Sequence, residues 1–128
     1  MDRKIVATEK APQAIGPYSQ AVVAGEMVFT SGQLGMNPET TELVGESAVE
    51  QAHQACKNLI AVLETAGSDI SHVIKTTVFL EDINDFVPVN EVYAQYFTQP
   101  FPARSAVQVA KLPKSAKVEI EAIAILNK

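Results

Sequence analysis

The chain holds a single cysteine, Cys56, and no tryptophan. One thiol excludes an internal disulfide and any thiolate metal cluster. The two histidines, His53 and His72, fall on different predicted elements without ligand-like spacing, so a paired-histidine metal motif is excluded. Glycine-rich phosphate loops and the G-x-S-x-G elbow are missing too. No apolar run approaches a bilayer span, and Met1 to Val6 lacks the long apolar stretch of a signal peptide. These absences point to a cytoplasmic protein in a reducing compartment, with no membrane association.

Positive charge is also scarce. Ten basic residues against fifteen acidic ones give a net charge of −5. Such a surface repels phosphate backbones unless cations gather locally, so nucleic acid is not an expected partner. Lys111, Lys114 and Lys117 form the one loose cluster and read as solvated turn residues. Aromatic residues make up only 6% of the chain, yet 47% of it is hydrophobic, so aliphatic packing carries the core. A chain of 128 residues with this composition reads as one domain over 1–128.

The clearest element is a helix from about Ser47 to Ala66. Ser47 and Glu50 have capping-box spacing, and Gly67 supplies a left-handed stop. Val49, Ala52, Cys56, Leu59, Ile60 and Leu63 form its apolar stripe. Ala21 to Ala24 and Met27 to Ser31, separated by Gly25-Glu26, suggest a hairpin. Gly35 to Gly45 reads as a loop. His72 to Leu80 reads as a strand. A second helix follows, capped by Asn84 or Asp85, with Pro88 in its first turn. Phe86, Val89, Tyr93, Tyr96 and Phe97 are its expected buried side. Arg104 to Ala110 and Lys117 to Leu126 close the chain as strands around a Leu112-Pro113 turn.

The order β-β-α-β-α-β-β predicts an α+β sandwich, a mixed sheet with both helices on one face. In the last strand Val118, Ile120, Ala122 and Leu126 point one way, while Ile123 and Ile125 point the other. Two helices cover one face only, so the second apolar face requires a partner, and an obligate homo-oligomer is expected.

Candidate chemistry rests on polar residues in unusual places. His53 reads as a helix-surface residue, His72 as structural or solvated, and Cys56 as core. Arg104 opens an apolar strand, where a guanidinium suits a bidentate grip on a carboxylate or an edge salt bridge. Glu119 lies in an apolar strand in phase with Glu121. Such a carboxylate either gains a raised pKa and serves as a base, or faces water. Tyr18 follows Gly16-Pro17, and Ser31-Gly32-Gln33 follows a strand, where Gly32 permits close backbone approach. Ordinary turn chemistry explains these equally well. If a final hairpin pairs Val109 with Val118, Arg104 lies roughly 13 Å from Glu119 along the strand, too far for one small ligand.

Together these segments resemble the RidA (YjgF) family of enamine/imine deaminases. Ala11 to Ala21 (APQAIGPYSQA), Ser31-Gly32-Gln33, Lys75 to Phe79 (KTTVF), Val89-Asn90, Phe101 to Ser105 (FPARS), Leu112-Pro113-Lys114 and Val118 to Ala122 (VEIEA) follow that family's order. The Arg104 and Glu119 segments are its most specific part. The resemblance implies a bacillus-type chorismate-mutase-like fold and a homotrimer with sites between subunits. It implies that Arg104 clamps the carboxylate of a 2-imino acid, aided by backbone N–H groups near Gly32 and Ala106. Glu119 then orients or deprotonates the attacking water, and Tyr18, Ser31 and Asn90 line the pocket. No metal or organic cofactor is implied. Close relatives often carry Cys where Ala106 stands, which removes any role for that thiol. A non-catalytic 2-oxo-acid-binding regulator and an endoribonuclease-like activity are the alternatives.

Overall fold

The computed structural model describes residues 2–128. Seven strands form one mixed sheet: β1 (Arg3–Val6), β2 (Ala21–Ala24), β3 (Met27–Thr30), β4 (Gln33–Leu34), β5 (Val73–Leu80), β6 (Ala103–Gln108) and β7 (Val118–Ile125). The spatial order is β1-β2-β3-β7-β5-β6, with the short β4 also pairing β7. Helices α1 (Ala48–Ala66) and α2 (Phe86–Tyr96) cover one face. The predicted α+β class and single-sided helix layer are therefore present. Two strands go beyond the prediction. β1 buries only Val6, and β4 is two residues long, so neither carries a readable alternation.

The predicted final hairpin does not exist. β6 runs parallel to β5, with Thr76 opposite Arg104, and β7 pairs antiparallel with the other edge of β5, with Phe79 opposite Glu119. Parallel neighbours need a long crossover, and α2 provides it. The Val109–Lys117 connection then steps across β5 to reach β7, and Val109 N–H extends the β5 ladder to Leu80 O at 2.9 Å. The Val109–Val118 pairing expected from sequence is thus replaced by two pairings, each to β5.

Ser47 caps α1, its hydroxyl accepting from Glu50 N–H at 3.1 Å. The capping box is only half formed, because the Glu50 carboxylate accepts from the Ser47 hydroxyl instead of a backbone N–H. Gly67 closes the helix with φ 93°. The buried stripe is rotated from the predicted one: Val49 is exposed, while Gln51, Ala55, Asn58 and Val62 are buried. Specific hydrogen bonds explain the two buried polar residues. Asn58 Nδ2 donates to Leu34 O and Met36 O at 3.0 and 2.9 Å. Gln51 donates to Gly45 O and accepts from Lys117 N–H. Asn58→Leu strands two carbonyls beneath the 35–45 loop and should cost about 2 kcal/mol in urea unfolding. A change below about 0.5 kcal/mol would show that the loop is held otherwise.

At α2, neither predicted cap operates. Asp82 caps a 3-10 turn over Ile83–Asp85 that runs directly into the helix, and Asp85 makes no side-chain cap bond. Val92, unpredicted, is buried beside Val89 and Tyr93.

The opposite face of the sheet carries no helix. Phe29, Val107 and Ile125 are 41%, 43% and 39% exposed there, and Phe29 stands directly opposite Ile123. Phe29, Ile123 and Ile125 form an apolar patch there, as the final-strand pattern predicted, while Lys75, Thr77 and Glu121 on the same face separate it from Val107.

Candidate functional site

Two cavities hold the candidate site residues other than Ala106, and each cavity holds only part of them. The first lies between α2 and the edge strand β6. Arg104 pairs with Thr76, whose side chain is fully buried on the helix-covered face, so Arg104 shares that face. Its Nη1 donates to Asn90 Oδ1 at 2.6 Å. The guanidinium carbon sits 4.7 Å from the Tyr93 ring centre and 5.2 Å from that of Phe86. No carboxylate pairs with it among the described residues, so the predicted alternative of an edge salt bridge is not realised. A cavity of about 380 Å³ opens beside it, walled by Asn90, Tyr93, Phe97, Phe101 and Pro102.

A guanidinium with aromatic faces below and one amide acceptor at one nitrogen keeps several N–H groups for an incoming anion. Nothing else in this cavity is charged. The arrangement suits a planar carboxylate attached to an apolar body.

The second cavity, about 460 Å³, lies beyond β4 and holds Tyr18, Ser31, Gly32, Leu34, Lys114 and Glu119. Glu119 alternates with the buried Val118 and Ile120, so its side chain points away from the helices. Burial raises its pKa above the usual carboxylate range, and the nearby Glu121 charge adds to the rise. Gly32 is required here: a Cβ at that position would lie 2.6 Å from Glu119 Cδ. Gly32→Ala should therefore push the carboxylate aside rather than unfold the chain. Stability should fall by less than about 1 kcal/mol, while turnover falls by at least about tenfold. Unaltered turnover would mean that the position of this carboxylate is immaterial.

Ser31 does not project a free hydroxyl proton into the cleft. Its Oγ donates to Ser19 O at 2.5 Å, leaving lone pairs as its remaining capacity. Tyr18 is 54% exposed at the rim, its hydroxyl accepting from Ile15 N–H at 3.4 Å.

The sequence reading did not single out Gln20, which is buried and supports this rim. Its amide donates to Thr8 O, Ala11 O and Pro12 O and accepts from Thr8 N–H at 2.6 Å. Gln20 thereby pins the segment from which Ile15 and Tyr18 reach the cleft. A polar residue opening an otherwise apolar strand was the available signal. Lys114, read as a solvated turn residue, lines the Glu119 cleft and donates to Thr41 O at 2.7 Å.

Arg104 and Glu119 do not meet within one chain. Their partners on β5, Thr76 and Phe79, are three residues apart, an odd number, so the two side chains leave opposite faces of the sheet. Two strand spacings and three residues put their Cα atoms about 14 Å apart. Ala106 lies two residues from Arg104 on the same face, packed against the core.

The other reactive side chains are occupied. Cys56 is fully buried, and burial pushes its thiol pKa up to about 12. His53 is wedged between the helices, its Nδ1 2.9 Å from the Tyr96 hydroxyl, rather than lying free on the helix surface. His72 precedes β5 in a short turn with Asp69, whose carboxyl is held at about 2 by hydrogen bonds from Ser71 and then His72. Among the described residues no group of three His, Cys, Asp or Glu side chains is placed to bind a metal ion, and no helix is long and apolar enough to cross a membrane.

Comparison with known proteins extends over almost the whole chain. Residues 8–126 match the family described as endoribonuclease L-PSP. The chain is 54% identical over 123 residues to human 2-iminobutanoate/2-iminopropanoate deaminase, covering 96% of this chain and 90% of that protein. A crystal structure of RidA from an Antarctic Psychrobacter superposes with a TM-score of 0.92 at 47% identity, covering 96% of this chain and 99% of that one. E. coli TdcF with bound serine gives 0.91 at 48% identity, over 97% and 99% of the two chains.

Proposed function

Because the chain belongs to the endoribonuclease L-PSP family, which includes RidA, we propose that it is an imine deaminase that hydrolyses small 2-imino acids to 2-oxo acids and ammonia. The observation that carries this reading is the division of the candidate site. Arg104 and Glu119 each line a cavity, and the sheet keeps them apart within one chain. A second copy seated against the uncovered face would bring the Arg104 cavity of one subunit to the Glu119 cleft of its neighbour. A cyclic homotrimer closes this head-to-tail arrangement and buries the apolar patch around Phe29 and Ile125.

In that site Arg104 grips the substrate carboxylate, its orientation fixed by Asn90 and supplemented by backbone N–H groups near Gly32 and Ala106. Glu119 accepts a proton from the water as its oxygen bonds to the imine carbon. The imine nitrogen takes that proton back from Glu119, giving a tetrahedral carbinolamine. The hydroxyl proton then passes through Glu119 to the amine nitrogen as the C–N bond breaks, so ammonia leaves and the 2-oxo carbonyl forms. An enamine substrate first tautomerises to the imine. Free imines already hydrolyse in water, so fixing the carboxylate and holding one water supplies the acceleration. Tyr18 and Ser31 order the water and close the cleft, the latter through its acceptor lone pairs. The proposed chemistry needs no cofactor, and the proposed location is the cytoplasm.

The names of the 54%-identical human protein and of RidA support the reaction, and the serine on TdcF supports an amino-acid-sized ligand. An RNA-directed role gains no support from the surface: Lys117 lies 3.9 Å from Glu81, and Lys114 is tied to Thr41 O. The test is a coupled assay in which a threonine dehydratase generates 2-iminobutyrate and 2-oxobutyrate is followed. The protein should accelerate its appearance; binding of 2-oxobutyrate without acceleration would identify a sensor instead. Sedimentation at micromolar concentration should give a trimer, and a monomer would remove the shared site.

A further inference from the structure

Arg104 is not held by Asn90 alone. Phe86, Asn90, Tyr93 and Phe97 recur at i, i+4, i+7 and i+11, which makes one stripe of α2 and its end facing β6. The guanidinium carbon lies 4.7 Å from the Tyr93 ring centre, closer than to Phe86. That ring is itself fixed at both ends. Its hydroxyl is 2.8 Å from Thr76 Oγ1, a fully buried partner, and its face stacks on Phe97 at 4.2 Å and 20°. Thr76 is also the residue directly opposite Arg104 on β5. The strand that sets the backbone position of the arginine therefore also sets the ring beneath its side chain.

We infer that Tyr93 is a positioning residue for substrate binding, its ring, locked by Thr76 and Phe97, serving as the platform that holds the Arg104 guanidinium in the plane that meets the substrate carboxylate. A free arginine side chain samples many rotamers, and freezing it on binding would weaken the complex. A cation over a desolvated ring is attracted to it, while the Asn90 bond at Nη1 fixes rotation within that plane. Neither Tyr93 nor Thr76 touches the reacting carbon in this scheme. Their effect falls on affinity for the carboxylate, which is alike in substrate and transition state, so KM moves and kcat does not.

This inference rests on Arg104 acting as the carboxylate clamp, so Arg104→Ala is measured alongside. In steady-state deaminase assays, Tyr93→Leu should raise KM about tenfold with kcat within about twofold of the parent. Tyr93→Phe keeps the ring but loses the Thr76 bond, so its KM should rise only about threefold. An unchanged KM for Tyr93→Leu, a fall in kcat alone, or equal damage from Phe and Leu would overturn the platform role. Should Tyr93→Leu fail to fold, Thr76→Val decides, since it keeps the core shape and frees the ring hydroxyl. Its KM should rise about threefold at constant kcat, and no rise would overturn the proposal. If Arg104→Ala itself leaves turnover intact, the clamp and the platform fall together. If Arg104→Ala is inactive and Tyr93→Leu is normal, the platform alone falls.

Discussion

Arg104→Ala should abolish most of the acceleration of 2-iminobutyrate hydrolysis, lowering kcat/KM by at least about a hundredfold. The guanidinium has no carboxylate partner among the described residues, so its charge is available to a ligand rather than spent on an ion pair. Removing it leaves the substrate carboxylate without a counter-charge inside a cavity of otherwise apolar and amide groups. Arg104→Lys should recover little. An ammonium keeps the charge but loses the planar fork, and with it the guanidinium that lies over Tyr93 and Phe86. Stability should change modestly, because the residue sits on an edge strand and is only half-buried. Wild-type kcat/KM in the alanine variant would refute the clamp.

Glu119→Gln should have the second large effect, of a different kind. Loss of a positioned base costs about a hundredfold or more in kcat, while KM stays near its parent value because the carboxylate clamp is intact. The parent should lose activity on acidification, with an apparent pKa above the usual carboxylate range, as the raised pKa of this carboxyl requires. The same shift fixes the sign for stability in the unassembled chain. Burial disfavours the charged form, so the folded state binds its proton more tightly than the unfolded state does. The resulting penalty is absent at pH below the unfolded pKa and grows as pH rises through the higher folded value. Glu119→Gln should accordingly match the parent in acid and exceed it in stability near neutrality. A variant less stable than the parent at neutral pH would mean that the carboxylate is paired, not stranded.

The residues of the candidate site were more legible in the sequence than their geometry. Arg104 and Glu119 stood out as charges inside apolar strands, with an edge salt bridge and a solvated carboxylate as open alternatives, and Asn90 entered only through the family resemblance. The uncovered face followed from the alternation in β7, where Ile123 and Ile125 oppose the helix-facing Ile120 and Ala122. Strand order was beyond reach, since sequence neighbours such as β6 and β7 tend to pair and a nine-residue connection permits it. Only the parallel β5–β6 ladder, closed through α2, separates them. The burial of the amides Gln51 and Asn58 was also unreadable. Each is polar by type and is buried because the fold brings it backbone partners, Gly45 O and Lys117 N–H for Gln51, and Leu34 O and Met36 O for Asn58.

That separation carries a consequence for how the protein works. A sheet only one residue thick puts Arg104 and Glu119 on opposite faces, so in the proposed shared site assembly of the site and of the oligomer would be one event. Activity should then depend on protein concentration wherever subunits dissociate. The apolar patch of Phe29 and Ile125 would then be needed for catalysis without touching substrate.

The decisive claim is that two different copies supply the guanidinium and the acid, and subunit complementation addresses it. Arg104→Ala and Glu119→Gln proteins, each inactive alone, are unfolded together, refolded as a mixture and assayed. Random assembly gives about a quarter of the interfaces an intact Arg104 from one variant facing an intact Glu119 from the other. Activity should therefore return to about a quarter of the parent's. A refolded mixture that forms mixed oligomers and stays as inactive as its components would place both residues in a single-chain site and contradict the account.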